Sequence, residues 1–367
     1  MRMRGSVRIG VGLGMLVGAL AAASYSWTFT RLGRLDYRAA VLAKVASFRG
    51  ADPELSASAR ADANAFTASL LPEYPPNDRV RVEDRMIPTP DGGEIPIRIY
   101  LPDRSGPAKT SGISEPLPFY LDIHGGGWWM GDGFLFDRAM VDFAERANAI
   151  VVSVDYRLAP EHPFPTPLDD CHTALLWIAS RGAEIGGDPT RIAIGGGSAG
   201  GNLAAALALR VRDEGGPEIT FQYLLVPATD LSGTRDWHSY DQVGEGYVLT
   251  VSGIDQMIAA YVPDPHERMN PYVSPLLEGD LAGLPPALIV TALFDPLRDQ
   301  GEAYARRLED AGVSVRLHRE SGALHGFLGS PDRARRVQAM AADAVRARLH
   351  RSPNDPSDPD RDVHDPG

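Results

Sequence analysis

Ser198 is the residue best placed to act as a nucleophile. It stands in Arg191-Ile-Ala-Ile-Gly-Gly-Gly-Ser198-Ala-Gly-Gly-Asn202, between a short apolar run and the Ala-rich stretch Leu203 to Val211. A strand that turns into a helix within a few residues strains the corner residue, so Gly196 and Gly200 must lack side chains that would collide. The hydroxyl then stands above a sheet, at a helix N-terminus whose unpaired N–H groups favour negative charge. A Gly-rich strand-to-helix turn can also cradle phosphate. Here no Lys-Ser or Lys-Thr follows, there is no Walker spacing, and no acidic residue about 20 positions on closes a nucleotide site convincingly.

Acyl transfer at a serine needs donors for the developing oxyanion, a base, and a group that orients the base. His124-Gly-Gly-Gly-Trp128 follows the apolar run Phe119 to Ile123, and its glycines let backbone N–H groups approach a bound oxygen. Gly126, Gly127 and Ala199 are the expected donors; a plain glycine turn is the competing reading. For the acid, the run Ala287 to Phe294 leads to Asp295-Pro-Leu-Arg-Asp299. Asp295 is nearer the strand end, and Asp299 suits capping or starting the next helix, although the same capping role would also fit Asp295. Of nine histidines, His325 in Gly322-Ala-Leu-His325-Gly-Phe327 follows the strand expected over Val313 to Leu317 and completes the order Ser, Asp, His. His318 lies on the strand itself and is the poorer candidate.

The elements that must hold these residues are legible in the periodicity. Residues 31–78 read as helical, with Leu35, Ala39, Leu42 and Val45 at helix spacing and an Ala-rich stretch from Ser56 to Leu70 before the prolines at 72, 75 and 76. From Val80 the period is two, and Asp91-Gly-Gly93 predicts a hairpin turn. Residues 102–118 are rich in Pro, Gly and Ser and read as a loop. Short apolar runs at Phe119–Ile123, Ala149–Val154, Arg191–Ile194, Phe221–Val226 and Ala287–Thr291 then alternate with amphipathic segments, the pattern of a mostly parallel sheet covered on both faces. Residues 231–271 are longer than a crossover needs and carry Trp237, Tyr240, Tyr247 and Tyr261, as a lid would.

A net charge of −12 opposes nucleic-acid binding. Cys171 is the single cysteine, so neither a disulfide nor a cysteine zinc site is available within the chain. Arg2, Arg4 and Arg8 precede 22 uncharged residues from Ile9 to Thr30. Residues 1–30 therefore read as a signal peptide or a membrane anchor, with small residues at 19–24 offering a cleavage site, or else as a helix of the folded protein. An exported or membrane-anchored location is expected, with membrane association through residues 9–30. Residues 350–367 are rich in Pro and Asp and read as a disordered tail.

With His124-Gly-Gly-Gly-Trp, Asp155-Tyr-Arg-Leu-Ala-Pro-Glu161, Gly196-Gly-Ser-Ala-Gly200, Asp295-Pro-Leu-Arg-Asp299 and His325-Gly-Phe in order, the chain resembles the hormone-sensitive lipase family of α/β-hydrolase esterases over roughly residues 80–348. The resemblance implies an eight-stranded core over residues 79–349. It also implies a cap built from residues 31–78 and the insert 231–271, and a triad of Ser198, Asp295 and His325 with Gly126, Gly127 and Ala199 as oxyanion donors. No cofactor or metal is implied, and the partner is a small-molecule ester. Many relatives carry Asp, Glu or Thr where this chain has Gly197. The expected reaction is hydrolysis of short- to medium-chain carboxylic esters, in an apolar pocket lined by Trp128, Trp129 and the aromatic insert. Amides, lactones or carbamates on the same triad are the alternatives, together with a non-catalytic ligand-binding role, which the presence of His325 opposes. The oligomeric state is open.

Overall fold

Strands with apolar residues on both faces have to be covered on both sides, and one eight-stranded sheet meets that demand here. The structure, a computed structural model, describes residues 22–49, 55–103 and 115–351. Most of the expected targeting segment, most of the 102–118 loop and nearly all of the expected disordered tail lie outside the described residues. A small hairpin, β1 (Phe29–Thr30) and β2 (Gly33–Arg34), leads to α1 (Tyr37–Arg49) and α2 (Ala57–Leu70). The core follows as β3 (Val80–Pro88), β4 (Glu94–Pro102), β5 (Leu117–Ile123), α3 (Asp137–Ala147), β6 (Ile150–Val154), α4 (Thr166–Arg181), β7 (Gly187–Gly197), α5 (Ala199–Glu214) and β8 (Phe221–Leu225). After the insert helices α6 (His238–Val243) and α7 (Val251–Tyr261) it closes with β9 (Ala287–Phe294), α8 (Arg298–Asp310), β10 (Val315–Leu324) and α9 (Pro331–Leu349).

The strand order is β10-β9-β8-β7-β5-β6-β4-β3. β4 is antiparallel to both its neighbours, and every other pairing in this sheet is parallel. Alternation along each strand feeds two cores. Phe119, Leu121 and Ile123 of β5 and Ile150, Val152 and Val154 of β6 pack with α4, α5 and α8. Tyr120 and Val151 point the other way, into the layer of α3 and α9. α5 is buried on almost every side, which accounts for its run of Ala and Leu.

Three features depart from the sequence expectation, the first being that Gly33–Arg34, within the segment 31–78 read as helical, pairs with Phe29–Thr30 as the small hairpin. β10 continues past Leu317 through the polar residues 318–322 to Leu324, with an irregular register after Glu320. It is an edge strand, so polar side chains can face solvent without breaking it. The inner face of α1 is Ala39, Ala40 and Ala43, with Leu35 buried just before the helix, whereas Val45 is 45% exposed. The reason is close approach: α1 lies on the backbone at Gly329, where an added Cβ would come within 2.9 Å of Ala39 Cα, so the contact face must be small. Residues 22–30, the described part of the apolar segment, form a helical turn and the β1 strand of the hairpin. Among the described residues no helix is long and apolar enough to cross a membrane.

The Asp155–Glu161 stretch is tied into this frame by Arg157. Its guanidinium donates to both oxygens of buried Asp170, at 2.6 and 2.9 Å, and to Asp91 Oδ2 of the β3–β4 turn at 2.6 Å. Removing the cation leaves a buried carboxylate without its partner. Arg157→Ala should therefore lower unfolding free energy by about 3 kcal/mol or more, and Arg157→Lys should recover only part of it, because an ammonium cannot hold two carboxylates in this fork. Urea denaturation of the variants checks this; a loss under about 1 kcal/mol, the range of an exposed pair, would contradict it.

Candidate active site

Ser198 occupies the single-residue corner between β7 and α5, with φ 57° and ψ −116°. A non-glycine residue there costs about 1–3 kcal/mol, and it is held by its neighbours. Its N–H donates to Leu225 O at 2.8 Å and its carbonyl accepts from Asn202 N at 3.0 Å. Asn202 is itself buried, and its Nδ2 donates to Val273 O at 2.9 Å, fixing the helix start to the far end of the insert. The turn is tight because α5 lies on the end of β5: a Cβ at Gly200 would fall 2.0 Å from Ile123 O and 2.5 Å from His124 O. Gly197 differs, since a Cβ there would meet nothing closer than 3.7 Å.

His325 Nε2 lies 2.8 Å from Ser198 Oγ, and His325 Nδ1 lies 2.9 Å from Asp295 Oδ2. Register explains the second contact. β9 and β10 are parallel neighbours with Leu324 opposite Phe294, so the residues that follow them, His325 and Asp295, emerge side by side. Asp295 is fully buried, and its other oxygen accepts the Leu297 N–H at 2.9 Å. It thus both orients the ring and caps the entry to α8. A carboxylate can only accept, so the Nδ1 position carries the proton and the Nε2 lone pair faces the serine hydroxyl.

The rejected candidates have other partners. Asp299 lies in the first turn of α8, but its carboxylate accepts from Ser239 N at 2.7 Å and from Arg298 Nε at 2.7 Å. Burial alone would raise its pKa; hydrogen bonding and the Arg298 charge outweigh it and hold the carboxyl below the usual range. Asp299 therefore caps α6 of the insert as well as starting its own helix. His318 sits on β10 beside Glu320, at 3.2 Å.

Gly126, Gly127 and Trp128 all have positive φ, at 123°, 60° and 62°. Several of the loop's carbonyls bond to supports. The Tyr156 hydroxyl donates to His124 O at 2.9 Å, Ala159 N to Trp128 O at 2.8 Å, and Arg60 Nε to Trp129 O at 2.6 Å. Asn64 Oδ1 accepts the Gly131 N–H at 2.9 Å. The N–H groups of Gly126, Gly127 and Ala199 have no protein acceptor among the described residues. His124 is buried and stacks on Tyr156, ring centroids 4.2 Å apart, and burial lowers its pKa to about 4, so it is neutral. Arg60 and Asn64 carry no such signal in the sequence, because nothing local links them to residues 124–131, whereas Tyr156 and Ala159 belong to the Asp155–Glu161 stretch, which resembles a structural loop of the family.

Above Ser198 lies a pocket with about 320 Å³ of space free of atoms, its mouth included. Its walls are Gly127, Trp128, Ala228, Leu231, Leu249, Ile254, Met257, Ile258 and Leu297, with Asp230. The expected aromatic lining is corrected here. Trp128 does line the pocket, but Trp129 does not, and the insert presents aliphatic residues. Its aromatics pack behind them: Tyr261 stacks on Trp128 at 4.8 Å, Tyr247 leans on Phe294 at 5.8 Å, Trp237 Nε1 donates to Asp230 Oδ2 at 3.1 Å, and the Tyr240 hydroxyl accepts from Gln300 Nε2 at 3.1 Å. Both Asp230 oxygens are occupied, the other by Ser232 N at 3.0 Å.

The family described by the α/β hydrolase fold matches residues 120–329. Carboxylesterase NlhH of Mycobacterium tuberculosis is 41% identical over 288 residues, covering 77% of this chain and 84% of its own. The arylesterase of Saccharolobus solfataricus is 37% identical over 286 residues, covering 77% and 87%. Among solved structures, the thermostable carboxylesterase EstE1 from a metagenomic library superimposes with a TM-score of 0.71 at 35% identity, over 83% of this chain and all of its own.

The geometry of the turn separates its glycines. Gly200→Ala should destabilise the protein by about 1–3 kcal/mol or more through overpacking and displace Ser198, whereas Gly197→Ala should stay within about 1 kcal/mol of the parent. Thermal melts of the two variants check this; equal losses would mean that helix and strand are not in this close contact.

Proposed function

The chain belongs to the hormone-sensitive-lipase-like α/β-hydrolase family and is an ester-hydrolysing enzyme, and on that premise we propose that it hydrolyses short- to medium-chain carboxylic esters through an acyl-enzyme on Ser198. The observation that carries the reading is His325 bridging Ser198 Oγ and Asp295 Oδ2 at 2.8 and 2.9 Å. His325 Nε2 takes the hydroxyl proton as Oγ attacks the ester carbonyl, and Asp295 stabilises the imidazolium. The N–H groups of Gly126, Gly127 and Ala199 receive the oxyanion. Collapse expels the alcohol with the proton from His325. Water then gives its proton to the same nitrogen and attacks the acyl carbonyl, and Ser198 leaves protonated.

The pocket supports the choice of substrate. Its walls are apolar apart from Ser198 and Asp230, whose carboxylate already accepts from Trp237 Nε1 and Ser232 N, so it offers transfer energy to an alkyl chain. Met257 of α7 forms part of its wall and lies against the glycine loop: a Cβ at Gly127 would be 2.0 Å from Met257 Sδ.

Ser198→Ala should lower kcat by about 10⁴-fold or more with the fold intact, and a fluorophosphonate should label the parent at Ser198; near-normal turnover in the variant would refute the nucleophile. Asp295→Asn should cost kcat orders of magnitude by misorienting the imidazole. Asp299→Asn should cost about 1 kcal/mol of stability through the lost α6 cap, with smaller effects on kcat; the opposite ranking would move the acid to Asp299. Met257→Ala should shift the preference in a nitrophenyl ester series toward longer acyl chains, and an unchanged profile would place the limiting wall elsewhere.

A further inference from the structure

We propose that the exposed aromatic and basic face formed by residues 25–48 is a docking surface for an anionic lipid bilayer. Helix α1 carries apolar residues on two sides. Its inner side packs on the core, yet its outer side presents Tyr37, Val45 and Phe48 at helical spacing, with half-buried Val41 between them and Phe48 76% exposed. A helix facing only water puts polar residues there. The hairpin extends the surface. Tyr25 and Phe29 meet edge to face at 5.7 Å, the Arg34 guanidinium lies 5.2 and 5.6 Å from their ring centroids, and Trp27 is exposed nearby in sequence. Ser24 Oγ bonds the Tyr37 hydroxyl at 2.9 Å and joins hairpin to helix.

Charge selects the occupant. Between Ser24 and Phe48 the basic residues are Arg31, Arg34, Arg38 and Lys44, against a single acid, Asp36, which is paired with Arg333 at 2.8 Å. The chain as a whole carries −12, so this face opposes the sign of the rest. Amphipathic aromatics interleaved with arginine are the composition that the headgroup layer of an anionic membrane accepts. Two copies meeting on this face would instead bring like charges together. The sequence before Arg31 carries no charge from Ile9 to Thr30. The inner side of α1 rests on Phe294 and Leu324, the residues just before Asp295 and His325, and on Val243 of the insert, so the docking surface lies at the end of the sheet that carries the candidate site. That lipid-dissolved esters reach Ser198 from this side rests on the proposed function; the docking itself does not.

The full chain is mixed with phosphatidylcholine vesicles, with and without phosphatidylglycerol, that contain brominated lipid to quench tryptophan at headgroup depth. Quenching is expected on the anionic vesicles, weaker on the neutral ones and reduced by salt, and Trp27→Phe should remove the quenched component. Phe29→Ser with Phe48→Ser should weaken partitioning by about tenfold or more, with hydrolysis of a water-soluble nitrophenyl ester unchanged. Protein that floats with vesicles while Trp27 stays unquenched would show that residues 1–21 alone hold it, and would overturn the proposal. So would double-variant binding equal to the parent, or dimers that the same substitutions dissociate. A parent inactive on every ester would sink the catalytic reading and leave the quenching result standing.

Discussion

The first turn of α5 is pressed onto the carbonyls that end β5, and the arrangement of the site follows from that contact. Only glycine fits at position 200, where a Cβ would stand 2.0 Å from Ile123 O. With the helix this close, the chain has one residue in which to leave β7, and Ser198 takes a left-handed φ of 57° to do it. The strain lifts the hydroxyl clear of the sheet. It also sets the first turn of α5 against the loop that continues β5, a Cβ at Gly200 falling 2.5 Å from His124 O.

A loop with three successive positive-φ residues would not hold its shape alone, and its stability comes from where its carbonyls go. Tyr156 and Ala159 take those of His124 and Trp128, and Arg60 of α2 takes that of Trp129. The helices before the sheet are therefore part of the frame that holds residues 124–131 in place. The same region buries titratable groups at a cost. Burial lowers the His124 pKa to about 4 and raises those of Asp122 and Asp155 to about 6. A neutral imidazole stacked on Tyr156 keeps an extra cation away from the N–H groups of the loop.

The insert divides its residues by chemistry. Aliphatic side chains of α7 face Ser198, while the aromatics stiffen the cap from behind and bond to the core through Trp237 and Tyr240. Leu231 N donates to Ser274 Oγ at 2.9 Å, so the two ends of the insert are clasped together and the long connection behaves as an added structural unit. Asp299 extends this clasp, joining α8, which follows the orienting carboxylate, to the start of α6.

The sequence alone determined the order of strands and helices from Val80 onward outside the insert, the hairpin at Asp91-Gly-Gly93 and the corner at Ser198, because period, glycine placement and apolar runs are local signals. It also singled out Asp295 and His325 by their positions after apolar runs, although the polar run 318–322 concealed the true end of β10. What it could not contain were relations between segments far apart in the chain. The pairing of Leu324 with Phe294 brings Asp295 and His325 together, and parallel register is set by packing across the sheet. The inward face of α1 turned on the nearness of Gly329, which only small residues tolerate. The pocket walls went to Leu249, Ile254, Met257 and Ile258 for a similar reason: the side of α7 that faces Ser198 depends on how its end is tied to a distant segment, as Phe164 N ties to Tyr261 O at 2.8 Å.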